Sequence, residues 1–172
     1  MFENNWNKSK TKNQIALLPG SRLGEINSLF KYFQICYEHI RANNIELNIF
    51  IPTLPHLKNE ILKRTKEWKI KVTISDKKDE IDSYFSNTKI AIVCSGTASL
   101  EIAKRGIPQL VIYKLNLFTE LILKLIVNVK FANLLNIFAN KMIIPELVNS
   151  NLNKKLFLKK LNNLLKNEKA NN

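Results

Sequence analysis

Cysteine and histidine are scarce in this chain of 172 residues, which has only Cys36 and Cys94 and, as histidines, His39 and His56. So few cysteines exclude a disulfide scaffold and suit a reducing compartment. Neither cysteine stands in a C-x-x-C or C-x-x-H context and the histidines lie far apart, so a metal site has almost no ligands to draw on. Neither a metal nor a cofactor is expected. Motifs of several large enzyme classes are missing as well. Without G-x-x-x-x-G-K-[ST] there is no P-loop, without G-x-G-x-x-G no dinucleotide fingerprint, and without G-x-S-x-G no hydrolase elbow to activate Ser95. The first twelve residues have no apolar core, so they are not a signal peptide. Residues 115–144 are strongly apolar, yet Glu120, Lys124, Asn128, Lys130, Asn133 and Asn136 interrupt them too often for a spanning helix. A cytoplasmic protein able to touch a membrane surface as a peripheral protein is the expectation.

Acidic residues are few: 14 Asp and Glu face 27 Lys and Arg, a formal charge of +13. That balance favours an anionic partner such as phosphate, nucleic acid or acidic lipid. Lys and Asn abound along the whole chain, however, and a general compositional bias accounts for part of the charge equally well. Hydrophobic residues make up 45% and charged residues 24%, values of an ordinary globular domain with a sizeable core.

Short β-prone runs alternate with helix-length amphipathic stretches, the rhythm of a parallel sheet with crossover helices. Strands are predicted at residues 15–18, 45–51, 71–74, 90–93 and 109–113. Helices are predicted at 25–41, 58–68, 81–86 and 97–104. From Leu117 onward the pattern reads as helical, and residues 151–172 read as a Lys/Asn-rich amphipathic helix fraying into a tail. Fold class is therefore α/β, a doubly wound Rossmann-like sheet. The chain divides into a polar segment 1–14, one domain at 15–150 and a C-terminal helix and tail at 151–172.

Ligands of open α/β sheets bind at the carboxyl ends of strands, beside helix N-termini whose free N–H groups suit phosphate. Two loops have that place. In Pro19-Gly20-Ser21-Arg22, Gly20 lets backbone approach a ligand, Ser21 can cap the next helix and Arg22 offers a bidentate fork for phosphate. In Ser95-Gly96-Thr97-Ala98-Ser99-Leu100-Glu101, small residues keep the helix start open. There Ser95 and Thr97 supply hydroxyls, and Glu101, one turn beyond Thr97, can accept hydrogen bonds from a sugar diol. Each loop alone reads equally well as a capped turn with a glutamate favoured by the helix dipole. Together they point to a nucleotide. Cys94, ending a buried run, reads as a small core residue, and His39 and His56 as surface or packing residues.

These segments resemble the lipid-A-disaccharide synthases of Gram-negative bacteria. The likeness rests on Ala16-Leu17-Leu18-Pro19-Gly20-Ser21-Arg22 with Glu25-Ile26, on Ser95 to Glu101, on Pro108 to Lys114, and on Ile144-Pro145-Glu146-Leu147, in the same order and spacing over residues 15–148. The resemblance implies the C-terminal, nucleotide-binding half of a two-domain GT-B glycosyltransferase. The family reaction transfers 2,3-diacylglucosamine from UDP to 2,3-diacylglucosamine 1-phosphate with inversion, in lipid A biosynthesis. By resemblance, Arg22 meets the UDP phosphates and stabilises the leaving group, Gly20 and Ser21 shape its loop, Ser95-Gly96-Thr97 holds the diphosphate region, and Glu101 takes the ribose hydroxyls. The family's general base lies in the N-terminal half, so a partner is implied, either that half or another copy of the chain, and this chain by itself is expected to be inactive.

Departures accompany the likeness. Leu134-Leu135-Asn136 stands where the family has leucine-proline-asparagine, and Asn149 replaces a usual glutamine, which leaves the roles of Asn136, Glu146 and Asn149 open. Two rival readings are a basic nucleic-acid-binding module, motivated by charge alone, and half of a related UDP-sugar epimerase, for which no carboxylate and histidine cluster is evident. The sugar-nucleotide reading, with no nucleic-acid partner, is preferred. The amphipathic stretch 117–138 and the basic surface are further expected to attach reversibly to anionic bilayers.

Overall fold

The strand segments are apolar on both faces, and such runs are satisfied only where helices cover both sides of a sheet. That is the arrangement in the computed structural model, which describes residues 12–94, 96–114 and 131–167. The described strands are β1 (Gln14–Leu18), β2 (Asn48–Pro52), β3 (Val72–Ser75), β4 (Thr88–Val93), β5 (Gln109–Tyr113) and β6 (Glu146–Val148). The described helices are α1 (Leu23–Ala42), α2 (Pro55–Thr65), α3 (Lys78–Ser86), α4 (Gly96–Lys104), α5 (Leu134–Ala139) and α6 (Lys154–Asn167). The six strands form one parallel sheet in the order β3-β2-β1-β4-β5-β6. This is the doubly wound sheet expected from the sequence.

Alternation along each strand divides the core into two layers. Ile15 and Leu17 of β1, Ile49 and Ile51 of β2 and Ile90 and Ile92 of β4 meet α1, α2 and α6 through Ile26, Phe33, Ile61, Phe157 and Leu161. The intervening residues Ala16, Phe50, Ala91 and Val93 face the other way, onto Phe85 of α3 and Ile102 of α4. A one-residue slip of any central strand would exchange these two sets, so the register is tightly specified. The last helix is bound to the first: Tyr32 and Phe157 pack with ring centroids 5.4 Å apart, the Tyr32 hydroxyl donates to the Leu152 carbonyl, and His39 Nε2 meets Asn162 Oδ1 at 2.7 Å. His39 is thus a packing residue, and His56 is exposed at the start of α2.

The structure shifts several predicted boundaries. The second strand starts at Asn48 rather than Ile45, because α1 ends in a left-handed Asn44 (φ 48°) and Ile45 N–H is taken by the Ile40 carbonyl. The second helix begins at Pro55, where a proline at the first helical position has no N–H to leave unsatisfied. It ends before Trp68, whose ring instead stacks on Tyr37 at 4.7 Å and donates through Nε1 to Gln34. The main correction is β6, which falls in a region read as wholly helical. A strand of three residues is too short to show a period of two, and it exists because Glu146 to Val148 pair with Val111 to Tyr113. Most of the predicted membrane-attaching stretch 117–138 lies outside the described residues. No helix among those described is long and apolar enough to cross a membrane.

Phe157 is fully buried between α6 and α1. Phe157→Ala is expected to lower stability by about 3–5 kcal/mol, the range for emptying an aromatic core site. Urea denaturation followed by circular dichroism checks this, and a loss below about 1 kcal/mol would mean the site collapses around the vacancy.

Candidate functional site

β1 and β4 lie side by side in the middle of the sheet, and from them the strand order runs outward in opposite directions. The segments after these two strands leave toward opposite faces, α1 with one core layer and α4 with the other, so the carboxyl ends of β1 and β4, where the crevice of an open α/β sheet lies, fall between their first turns. The two loops singled out in the sequence are the ones that border it. Their roots are joined directly, since Cys94 N–H donates to the Leu18 carbonyl at 3.0 Å.

On the β1 side the loop turns at Gly20, whose φ of +91° suits glycine alone among ordinary residues. Ser21 does not cap α1 as expected. The N-cap is Arg22, in extended conformation, and its carbonyl accepts from Glu25 N–H at 3.0 Å and Ile26 N–H at 3.2 Å. The capping carboxylate is Glu25, which accepts from Ser21 N–H at 3.0 Å and Arg22 N–H at 3.3 Å through Oε2. A Cβ built at Gly20 would meet that same oxygen. The close approach that Gly20 permits is therefore made by the chain's own carboxylate. The Arg22 guanidinium stays 81% exposed, with only a loose 3.9 Å contact to Glu25.

On the β4 side, Cys94 is fully buried and Ser95 lies outside the described residues. Burial pushes the Cys94 thiol well up, and the nearby negative charge of Glu25 pushes it further in the same direction. Cys36 is pushed up to about 12 by burial. Neither thiol is available as a thiolate nucleophile. α4 starts at Gly96, and Thr97 is exposed in its first turn. Glu101 follows one turn later, 55% exposed, and accepts from Arg105 at 3.1 Å. Arg105 also pairs with Asp82 of α3 and covers the Phe85 ring, 4.8 Å from its centroid. Glu101 is therefore held by a cation before any ligand arrives.

Behind α4 is a buried polar clamp. Glu146 accepts from Ala132 N–H at 3.0 Å and Asn133 N–H at 2.7 Å. Asn133 donates through Nδ2 to Ser99 Oγ at 2.6 Å and caps α5 by accepting from Leu135 N–H. Asn136 accepts from Ile143 and Ile144 N–H, each at 2.8 Å, and donates to the Ile144 carbonyl at 2.7 Å. Among the described residues no cluster of three or more His, Cys, Asp or Glu side chains is placed to hold a metal ion.

A family model described as lipid-A-disaccharide synthetase matches residues 2–172. The lipid-A-disaccharide synthase of Rickettsia conorii is 35% identical over 152 residues, covering 87% of this chain and 33% of that protein. The synthase of Wigglesworthia glossinidia brevipalpis is 34% identical over 152 residues, covering 86% and 38% respectively. That of Rhodospirillum centenum is 26% identical over 135 residues, covering 78% and 33%. The chain belongs to the lipid-A-disaccharide synthetase family. It spans about a third of the length of these curated relatives.

Within this synthetase-family chain, the segments left without roles have structural ones. Asn136 uses both amide atoms to brace the turn before β6, through three hydrogen bonds. Glu146 fastens the segment entering α5 to the sheet edge. Asn149 adopts a left-handed φ of 50° where the chain leaves β6 for a short 3₁₀ turn (Asn149–Asn151). Sequence reading missed Glu25 and Asn133 as site-shaping residues. A signal existed for the first, a glutamate at the third position of a helix, which often reaches back to the free amides of the cap.

Because both thiols are buried and held protonated, iodoacetamide at about pH 8, near the ordinary thiol range, is expected to leave Cys36 and Cys94 unmodified in the native chain and to alkylate both in guanidinium. Mass spectrometry reads the result. Fast native labelling of Cys94 would show that the floor of the crevice is open.

Proposed function

We propose that this chain is the nucleotide-sugar-binding part of a GT-B, inverting lipid-A-disaccharide synthase, with UDP-2,3-diacylglucosamine as donor and 2,3-diacylglucosamine 1-phosphate as acceptor. The observation that carries this reading is the meeting of the two candidate loops at the β1/β4 switch point of a family member, with their roots hydrogen-bonded to each other. The Arg22 guanidinium is 81% exposed, with only its loose contact to Glu25, and α4 begins at Gly96 in the other loop.

The chemistry follows from charge. When the anomeric carbon leaves the β-phosphate, negative charge grows on the diphosphate. A guanidinium and an oriented helix terminus stabilise that charge without reorganising at the moment of reaction. In this proposal Arg22 takes the phosphates, Ser95, Gly96 and Thr97 take the diphosphate region, and Glu101 accepts from the ribose diol, while Gly20 and Ser21 shape the turn that presents Arg22. Acceptor binding and deprotonation fall to the part of the relatives that this chain does not match, supplied by an N-terminal half or another copy. Acylated substrates partition into bilayers, so the reaction belongs at a membrane surface, where the lysine-rich face of α6 suits anionic headgroups.

Calorimetry with UDP, uridine and 2′-deoxy-UDP tests the assignment. Arg22→Ala is expected to weaken UDP by about 1.5–3 kcal/mol, the value of a charge-assisted hydrogen bond, and to spare uridine; equal losses remove Arg22 from the phosphates. Glu101→Gln is expected to weaken UDP more than 2′-deoxy-UDP, and parallel losses would make Glu101 a purely structural partner of Arg105. Disaccharide formation from the two acylated substrates is expected only when an N-terminal domain is added, and turnover by the chain alone would overturn that division of labour.

A further inference from the structure

Two backbone N–H groups at a helix start, aimed at one point beside a left-handed glycine, make a small anion seat. In the β1–α1 loop those donors are Ser21 N–H and Arg22 N–H, and the seat is taken by Glu25 Oε2 at 3.0 and 3.3 Å. The occupant is partly enclosed. Its side chain is only 19% exposed, the missing Cβ of Gly20 provides the space for its oxygen, and its charge is felt by the Cys94 thiol across the crevice. The neighbouring guanidinium of Arg22, by contrast, is 81% exposed.

A phosphate cannot use the same two N–H groups while a carboxylate holds them, and two anions at one such point repel strongly. We propose that Glu25 is the resident anion of this loop and so a specificity-determining residue: it closes the Ser21/Arg22 amide seat to phosphate and confines a bound diphosphate to the α4 side, where Arg22 reaches it by its side chain alone. The proposal rests on the sugar-nucleotide reading for the diphosphate, but the closed seat is a property of the loop and is testable without a nucleotide. It also gives the loop a selective purpose. Free inorganic phosphate gains no two-amide contact, while a ligand anchored elsewhere by its uridine and ribose still meets the guanidinium.

The test is a titration of the 172-residue chain with inorganic phosphate and, separately, with UDP, followed by backbone amide NMR at Ser21, Arg22, Gly96 and Thr97. In the unaltered chain phosphate is expected to leave the Ser21 and Arg22 amides unmoved, and UDP to move Gly96 and Thr97. Glu25→Ala empties the seat and is expected to raise phosphate affinity by roughly tenfold or more, the gain from charge-assisted hydrogen bonds, with the largest shifts at Ser21 and Arg22. Glu25→Gln keeps the length of the side chain and removes its charge, so it is expected to gain less and serves if the alanine variant does not fold. Movement of the Ser21 and Arg22 amides by phosphate in the unaltered chain, as large as in the variants, would overturn the proposal. So would folded variants that gain no phosphate affinity. Failure of the unaltered chain to bind UDP while the variants gain phosphate would instead remove the sugar-nucleotide reading and leave the closed seat standing.

Discussion

Pairing of β1 with β4 is the contact on which the rest of this structure depends. It joins segments 74 residues apart, as between Gln14 and Thr88, in a register that shifts between Gln14 and Ile15 and then runs unbroken from Ile15 against Ile90 to Leu18 against Val93. Strands added outward from this pair proceed in both directions, which separates α1 and α2 from α3 and α4 and makes two apolar layers from one alternating pattern. The same pairing brings the ends of β1 and β4 to one level, so the crevice and the core are consequences of a single arrangement. A change that loosened β1 against β4 would disturb both.

The polar and charged groups at the crevice are divided between its two sides. The β1 loop satisfies its amides internally with Glu25 and offers an exposed cation, Arg22, to the outside. The α4 side offers a helix terminus, with an exposed threonine in the first turn and a glutamate one turn on, which Arg105 and Asp82 hold in a small charged network. A backbone seat on one side and a side-chain cation on the other differ in reach. The seat fixes a ligand atom at one point, while a long guanidinium can follow a diphosphate as charge moves onto the leaving group.

Family membership gives this arrangement its context, and the coverage gives it its scale. A chain matching about a third of its curated relatives carries both candidate loops on regular elements, with the clamp of Ser99, Asn133 and Glu146 tying α4 to the sheet edge from behind. Such support matters because transition-state stabilisation by dipoles requires that they stay fixed while charge develops.

The strand-helix rhythm, the two loops and the family likeness were legible in the sequence because each is a local property. Period, turn residues and motif spacing are written into neighbouring positions. The Leu18–Cys94 contact, the short β6 and the clamp through Asn133 were not, since each depends on a partner supplied by a distant element, and a strand of three residues carries no period of its own. Glu25 falls between these cases. Its place three residues after Arg22 was readable as a cap, and its approach to Gly20 is equally local, but that its charge pushes the Cys94 thiol up was decided only when β4 came to lie beside β1. Local sequence sets which backbone groups will be free at a helix start, and tertiary packing decides which atoms satisfy them.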